Sequence, residues 1–186
     1  MRTKPQMKTL IETKRLILRE ILDSDVQDMY ELDADPEVHK YLGNKPITTI
    51  EQARKIIAHI RKQYENNGLG RLAVIEKASG NFLGWSGLKY EKEVREEFNY
   101  YDLGYRFKKQ HWGKGYASES ASASLSYGFQ KLNLSEICAA AELANGVSNH
   151  IIKKQGFTFV ERFSFDGEEC NWYKLTKREW EDLQSK

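Results

Sequence analysis

Two hydrophobic periods alternate along this chain. In "RLILREI", Arg15 to Ile21, Leu16 and Leu18 alternate with charged residues, which predicts a first strand. "DSDVQDMYELDAD" follows. Its Asp and Ser residues suit a helix N-terminus, and Val26, Met29, Tyr30 and Leu32 recur at helical spacing. Pro36 opens a short second helix, "PEVHKYL", because proline is tolerated in a first turn. The clearest helix is "TTIEQARKIIAHIRKQYENNG". Thr48 and Glu51 are placed as a capping box, Ala53, Ile56, Ile57, Ile60 and Tyr64 share one face, and Asn67-Gly68 ends it.

Three strands come next: "GRLAVIEK", "NFLGWSGLKY" and "NYYDLGYRF". A turn at Gly80 joins the first two, and the charged loop "EKEVREEF" joins the second and third. A helix is predicted from Gly115 to Leu132, then a short apolar strand, "SEICAAAEL", then the helix "NGVSNHIIKKQG" closed by Gly156. Two last strands, "FTFVERFSF" and "CNWYKLTK", flank a turn at Asp166-Gly167, and "KREWEDL" is a terminal turn or helix. This order predicts an α/β (α+β) fold: one mixed, mostly antiparallel sheet with helices on both faces. Residues 1–12 read as a lead-in, 13–178 as the domain and 179–186 as a tail.

Composition narrows the function. A chain of 186 residues suits one domain with a real core. A net charge of +2, without a basic stripe, argues against nucleic acid as a partner. No apolar run has the length of a membrane span, and "MRTKPQMKTLIETKR" lacks the features of a signal peptide, so the expected location is cytoplasmic. Cys138 and Cys170 make no metal framework, and the four histidines show no metal spacing. Cys138, in an apolar strand, reads as a small hydrophobe.

The distinctive stretch is "KKQHWGKGYASESASAS", Lys108 to Ser124. A strand, two glycines and a helix start can bind an anion. The first N–H groups of a helix lack internal partners, its dipole is positive there, and glycine lets a phosphate approach the backbone. Lys108, Lys109 and Lys114 add positive charge. A glycine-rich turn with solvent-facing lysines has the same sequence. A P-loop pattern is absent, and Ser118 stands where a dinucleotide fingerprint needs its third glycine. Trp112 reads as a packing anchor for the loop, and Ser118 as the one serine of the helix placed to meet a phosphate.

These residues resemble the GNAT superfamily of acyl-CoA-dependent N-acyltransferases. Gln110-His111-Trp112-Gly113-Lys114-Gly115 fits the family signature [QR]-x-x-G-x-[GA]. "NGVSNHIIKKQGF" resembles a second family segment, with Asn145, Ser148, Lys154, Gly156 and Phe157 in place. "RLILRE" and "DPEVHKYLG" are similar to the branch containing ribosomal-protein N-terminal acetyltransferases. The resemblance spans roughly Thr13 to Leu175. It implies a splayed parallel pair at the fourth and fifth strands, Tyr101 to Phe107 and Ile137 to Leu143, with acetyl-CoA in the wedge between them. It further implies that pantetheine pairs with backbone at Tyr105, Arg106 and Phe107. The pyrophosphate would rest on the N–H groups of Gln110, His111, Trp112, Gly113, Lys114, Gly115, Tyr116, Ala117 and Ser118, with Asn145 near the pantetheine and Ser148 near the sulfur.

The implied reaction is acetyl transfer to a primary amine, either a protein N-terminus or a small amine such as a polyamine or antibiotic. The amine must be neutral to attack. Ser148 is the candidate leaving-group acid, with a helix-start or cofactor hydrogen bond as its other reading. Glu142 is the candidate base through water, with a solvent-exposed strand end as its other reading. Tyr101 and Asp102 are weaker choices, which leaves the base unassigned. The acidic residues from Asp23 to Glu37 suit either a cationic acceptor or solvated helix faces. A non-catalytic acyl-CoA-binding regulator on the same fold is the alternative function, and a homodimer is an admissible assembly.

Overall fold

The computed structural model describes residues 9–95 and 97–185. The part of the N-terminal lead-in before Thr9 lies outside the described residues. The strands are β1 (Thr9–Glu12), β2 (Leu16–Glu20), β3 (Leu72–Glu76), β4 (Phe82–Glu91), β5 (Tyr100–Phe107), β6 (Glu136–Glu142), β7 (Thr158–Phe165) and β8 (Glu168–Thr176). The helices are α1 (Val26–Asp33), α2 (Pro36–His39), α3 (Ile50–Asn67), α4 (Tyr116–Ser126), α5 (Gly146–Lys154) and α6 (Lys177–Gln184). The strands form one sheet in the order β1-β2-β3-β4-β5-β6-β8-β7. Every neighbouring pair is antiparallel except β5 and β6.

The parallel pair is the expected one, renumbered because residues 9–12 of the lead-in add an edge strand. Its pairing is a single register point, Asp102 with Cys138, near the start of both strands. Beyond it the strands diverge. β5 stays paired to β4 through Phe107, and β6 to β8 through Glu142. The backbone of β5 after Leu103 therefore has no strand partner on its β6 side. This is the wedge.

Side-chain alternation divides the sheet into two faces. Leu88, Leu103, Ile137, Ala139 and Tyr173 pack with Ala121 and Leu125 of α4, Phe129 of the turn that follows it, Ile152 of α5 and Trp180 of α6. On the other face Ile21, Ala73 and Phe82 pack with Met29 and Leu32 of α1, Val38 of α2 and Ala53, Ile57 and Ile60 of α3. Residues 179–184 of the predicted tail continue α6, which stays because Trp180 is buried against Phe129, ring centroids 5.4 Å apart.

Two helix boundaries differ from the sequence reading. The α3 cap is Thr49 with Gln52, not Thr48 with Glu51. Gln52 Oε1 accepts the N–H groups of both Thr48 and Thr49, at 2.8 and 2.9 Å. The helix predicted to Leu132 leaves α geometry at Ser126 and finishes as a π-type turn, Tyr127–Lys131. Within it Gly128 packs tightly on the sheet, where a side chain would collide with Leu88 and Ile137.

Candidate active site

The loop after β5 turns back on itself before α4. Phe107 ends the strand, Lys109–His111 form a 3-10 turn, and Gly113 and Gly115 adopt φ of 73° and 80°. These left-handed angles are costly for any residue with a Cβ. The N–H groups of Gly113, Lys114, Gly115, Tyr116, Ala117 and Ser118 have no acceptor among the described residues, and the first helical bond of α4 is from Glu119 to Gly115. Such a row of donors at a helix N-terminus is an anion cradle.

Its walls come from distant parts of the chain. Arg15, at the mouth of β2, donates to Lys114 O (2.9 Å), pairs with Glu119 (2.6 Å) and lies over the Tyr116 ring at 4.6 Å. Thr13 Oγ1 donates to Glu119 as well (2.6 Å). The Tyr116 phenol donates to Glu76. Trp112 does not anchor by packing, since its ring is 46% exposed. Its indole N–H instead donates to Phe107 O at 2.8 Å. The Gln110 side-chain amide lies 3.2 Å from the His111 ring, and burial with Lys114 holds that imidazole below its usual pKa.

The lysines divide differently from the sequence expectation. Lys108 is buried and donates to Asp28 and Glu31 of α1, both at 2.7 Å, and Lys109 lies 3.5 Å from Glu37. Only Lys114 of the three has no carboxylate partner among the described residues. Several acidic residues of the first helices are engaged by basic side chains rather than merely solvated. Asp25 holds Arg19 (2.7 Å), Asp33 holds Arg106 (2.6 Å), and Asp28 and Glu31 hold Lys108, fastening α1 to the sheet and loop.

The two sides of the wedge are chemically distinct. On the α5 side, Tyr105 Oη lies 3.1 Å from Ser148 Oγ. Asn145 caps α5, its Oδ1 accepting the Ser148 N–H at 3.0 Å. Burial pushes the Tyr105 phenol up to about 12, so at neutral pH it keeps its proton. On the other side Glu142, at the end of β6, lies 3.4 Å from the Gly43 N–H, and burial holds its carboxyl above the usual range. The Arg106 side chain lies on this side as well, paired with Asp33 of α1. Asp102 is engaged by Arg71, and the Tyr101 ring lies 5.1 Å from the Tyr90 ring. Burial pushes the thiols of Cys138 and Cys170 up to about 12 and about 11, so neither is a ready nucleophile.

Asn149 joins these parts, and no sequence signal marked it. Its Nδ2 donates to the carbonyls of Glu142 (2.8 Å) and Asn145 (2.7 Å). Its Oδ1 accepts from Asn171 Nδ2 (2.8 Å) and Tyr173 Oη (2.7 Å). One buried amide therefore ties the end of β6, the cap of α5 and β8 together.

A splayed parallel pair, a row of free N–H groups and a capped helix beside the opening fit a long thioester with a pyrophosphate. The comparisons with known proteins agree. Residues 15–158 match the family model described as an acetyltransferase (GNAT) domain. The chain is 33% identical over 151 residues to the uncharacterized N-acetyltransferase p20 of Bacillus licheniformis, covering 81% of this chain and 83% of that one. Its fold is similar to the ribosomal L7/L12 alpha-N-protein acetyltransferase RimL, at a TM-score of 0.76 and 16% identity, covering 95% and 98% of the two chains. It is similar also to the spermidine N-acetyltransferase from Vibrio cholerae, solved with CoA and spermine, at a TM-score of 0.73 and 19% identity, covering 90% and 99%. The chain belongs to the GNAT family and is an N-acetyltransferase whose acyl donor is acetyl-CoA.

Proposed function

We propose that the acceptor is the N-terminal amine of a protein or peptide, entering the wedge from the Glu142 side. The rim there carries this reading. Leu42, Leu143 and Phe165 are exposed apolar residues, each next in sequence to a residue of the closely set group Gly43, Glu142 and Asp166. Glu142 is joined there by Glu168, whose charge acts on it. An acidic floor attracts an ammonium group, and an apolar rim suits the side chains of a peptide better than the repeated charges of a polyamine.

In this reading the N–H groups from Gly113 to Ser118 hold the pyrophosphate of acetyl-CoA, with Lys114 adding charge. Gln110, His111 and Trp112 brace the turn. Backbone of Tyr105, Arg106 and Phe107 pairs with pantetheine, and Asn145 stands beside it. Acetyl-CoA supplies the activated acyl group. The chain orients it and manages two protons. Ser148, hydrogen-bonded to a phenol that keeps its proton, delivers one to the departing sulfur. The test is release of free thiol from acetyl-CoA with a panel of short peptides, spermidine and aminoglycosides. Peptides stimulated well above the small amines support the reading. Preference for spermidine, or turnover indifferent to the residues after the amine, refutes it.

A further inference from the structure

The base that frees the amine is the unassigned part of the reaction, and a buried, under-partnered polar cluster lies on the sheet face that carries Arg106 and Glu142. The segment from Asp33 to Gly43 spans the acceptor side of the wedge. At one end Asp33 Oδ1 accepts from Arg106 of β5 at 2.6 Å, and at the other the Gly43 N–H faces Glu142 of β6 at 3.4 Å. His39 lies between them. Its side chain is 9% exposed, and Nε2 stands 3.7 Å from Asp33 Oδ1, too far for a hydrogen bond and near enough for strong charge coupling.

The cluster is under-committed. Both ring nitrogens of His39, Asp33 Oδ2 and Arg106 Nε are buried without a hydrogen-bond partner among the described residues. Asp33 is 1% exposed. Native interiors pair nearly all such atoms, and the exceptions cluster where chemistry is done. The other unpartnered buried side-chain atoms among the described residues, Gln63 Oε1, Ser86 Oγ and Arg95 Nη1, occur one to a residue, whereas four belong to this cluster. A structural histidine at this depth would be expected to use at least one nitrogen.

We propose that His39 is the base that takes the proton of the acceptor ammonium through one water, with Asp33 and Arg106 as positioning residues. The first proton passes from the ammonium to a ring nitrogen. The neutral amine nitrogen then bonds to the acetyl carbon while the carbon–sulfur bond breaks. The second N–H proton goes to the sulfur by way of Ser148, giving the free thiol, and the imidazolium releases the first proton to solvent. The net products are the amide, the thiol and one proton. Asp33 stabilises the imidazolium, and Arg106 keeps Asp33 ionised and in place.

The groups facing His39 are Asp33 from α1, Asp35 from the turn before α2 and Arg106 from β5. Burial and then Arg106 hold the imidazole below its usual 6.5, while the two carboxylates oppose them. At neutral pH the ring is therefore an unprotonated acceptor. The proposal rests on amine acetylation by this chain and not on which amine it takes.

Two measurements test it. The first is the pH titration of histidine ring resonances in the labelled full chain, with His39 identified by the signal lost in His39→Gln. The expected midpoint lies below 6.5 and falls further in Asp33→Asn. A ring that keeps one protonation state from about pH 4.5 to 8, or a midpoint unmoved in Asp33→Asn, overturns the proposal without reference to any acceptor. The second is the pH profile of kcat/KM with the best amine of the panel. Wild type should rise through the His39 midpoint and then level. His39→Gln should lose roughly 100-fold and rise with unit slope toward the pKa of the amine, with acetyl-CoA affinity unchanged. A His39→Gln enzyme that keeps the wild-type rate and acid limb overturns the proposal. Failure of every amine would instead count against the acceptor reading, and the ring titration would still decide the state of His39.

Discussion

Replacing Asn149 with alanine should cost more than any other single polar substitution near the wedge. The side chain accepts from Asn171 and Tyr173 at 2.8 and 2.7 Å, and both donors are buried. Alanine leaves the two donors without partners. A buried donor stranded in this way costs about 1–3 kcal/mol, so the pair should cost roughly 3 kcal/mol or more. In a domain of this size each kcal/mol lowers Tm by about 2–4 °C, which places the expected loss near 6–12 °C. The assay is thermal unfolding of wild type, Asn149→Ala, Tyr173→Phe and the double variant. In wild type, Tyr173→Phe removes a satisfied bond and should destabilise by about 1 kcal/mol. In the Asn149→Ala background it removes a stranded donor and should be neutral or stabilising. This change of sign is what a shared network requires. Equal costs of Tyr173→Phe in both backgrounds, or a Tm loss below about 2 °C for Asn149→Ala, would refute the reasoning. Acetyl-CoA affinity should fall with Asn149→Ala too, because the same amide holds the carbonyls of Glu142 and Asn145.

Other substitutions separate the parts of the site. Gly113→Ala meets no atom within 4 Å of its new Cβ, so its cost is backbone strain at φ 73°. About 1–2 kcal/mol of strain relieved by loop rotation should weaken acetyl-CoA roughly tenfold, as read by calorimetry. Trp112→Phe keeps the ring but removes the donor to Phe107 O. It should lower acetyl-CoA affinity several-fold with little change in Tm, and unchanged affinity would show that the bond does not shape the loop. Glu142→Gln tests the half-buried carboxyl. Because its folded pKa is raised, ionisation opposes folding, and the stability present below the usual 4.5 is lost as pH rises through the folded value. The variant should match wild type in unfolding at acid pH and exceed it at neutral pH. A variant that is less stable at neutral pH would contradict this sign.

The legible and illegible parts of this chain differ in range. Leu16 and Leu18 mark β2 by alternation, and Ala53, Ile57 and Ile60 mark α3 by helical spacing, because each signal is local. The edge strand β1 escaped notice because its four residues include no buried one. The loop was legible because glycine, a turn and a helix start are chain neighbours. Its clamp was not, because Arg15 and Glu119 are 104 residues apart. Arg106 and Asp33 are 73 apart, and Asn149 and Tyr173 are 24 apart. In each case folding supplies the partner, and a lone asparagine or histidine in a helix carries no mark of what will face it. For the same reason nothing in the sequence separates Lys108 from the phosphate site, whereas in the fold Asp28 and Glu31 of α1 hold it.

The account depends most on six backbone donors. Amide hydrogen exchange of Gly113 to Ser118, with and without saturating acetyl-CoA, reads them directly. The predicted result is rapid exchange in the free protein and strong protection of these amides when acetyl-CoA is bound. Tight acetyl-CoA binding with unchanged exchange across all six would contradict the account.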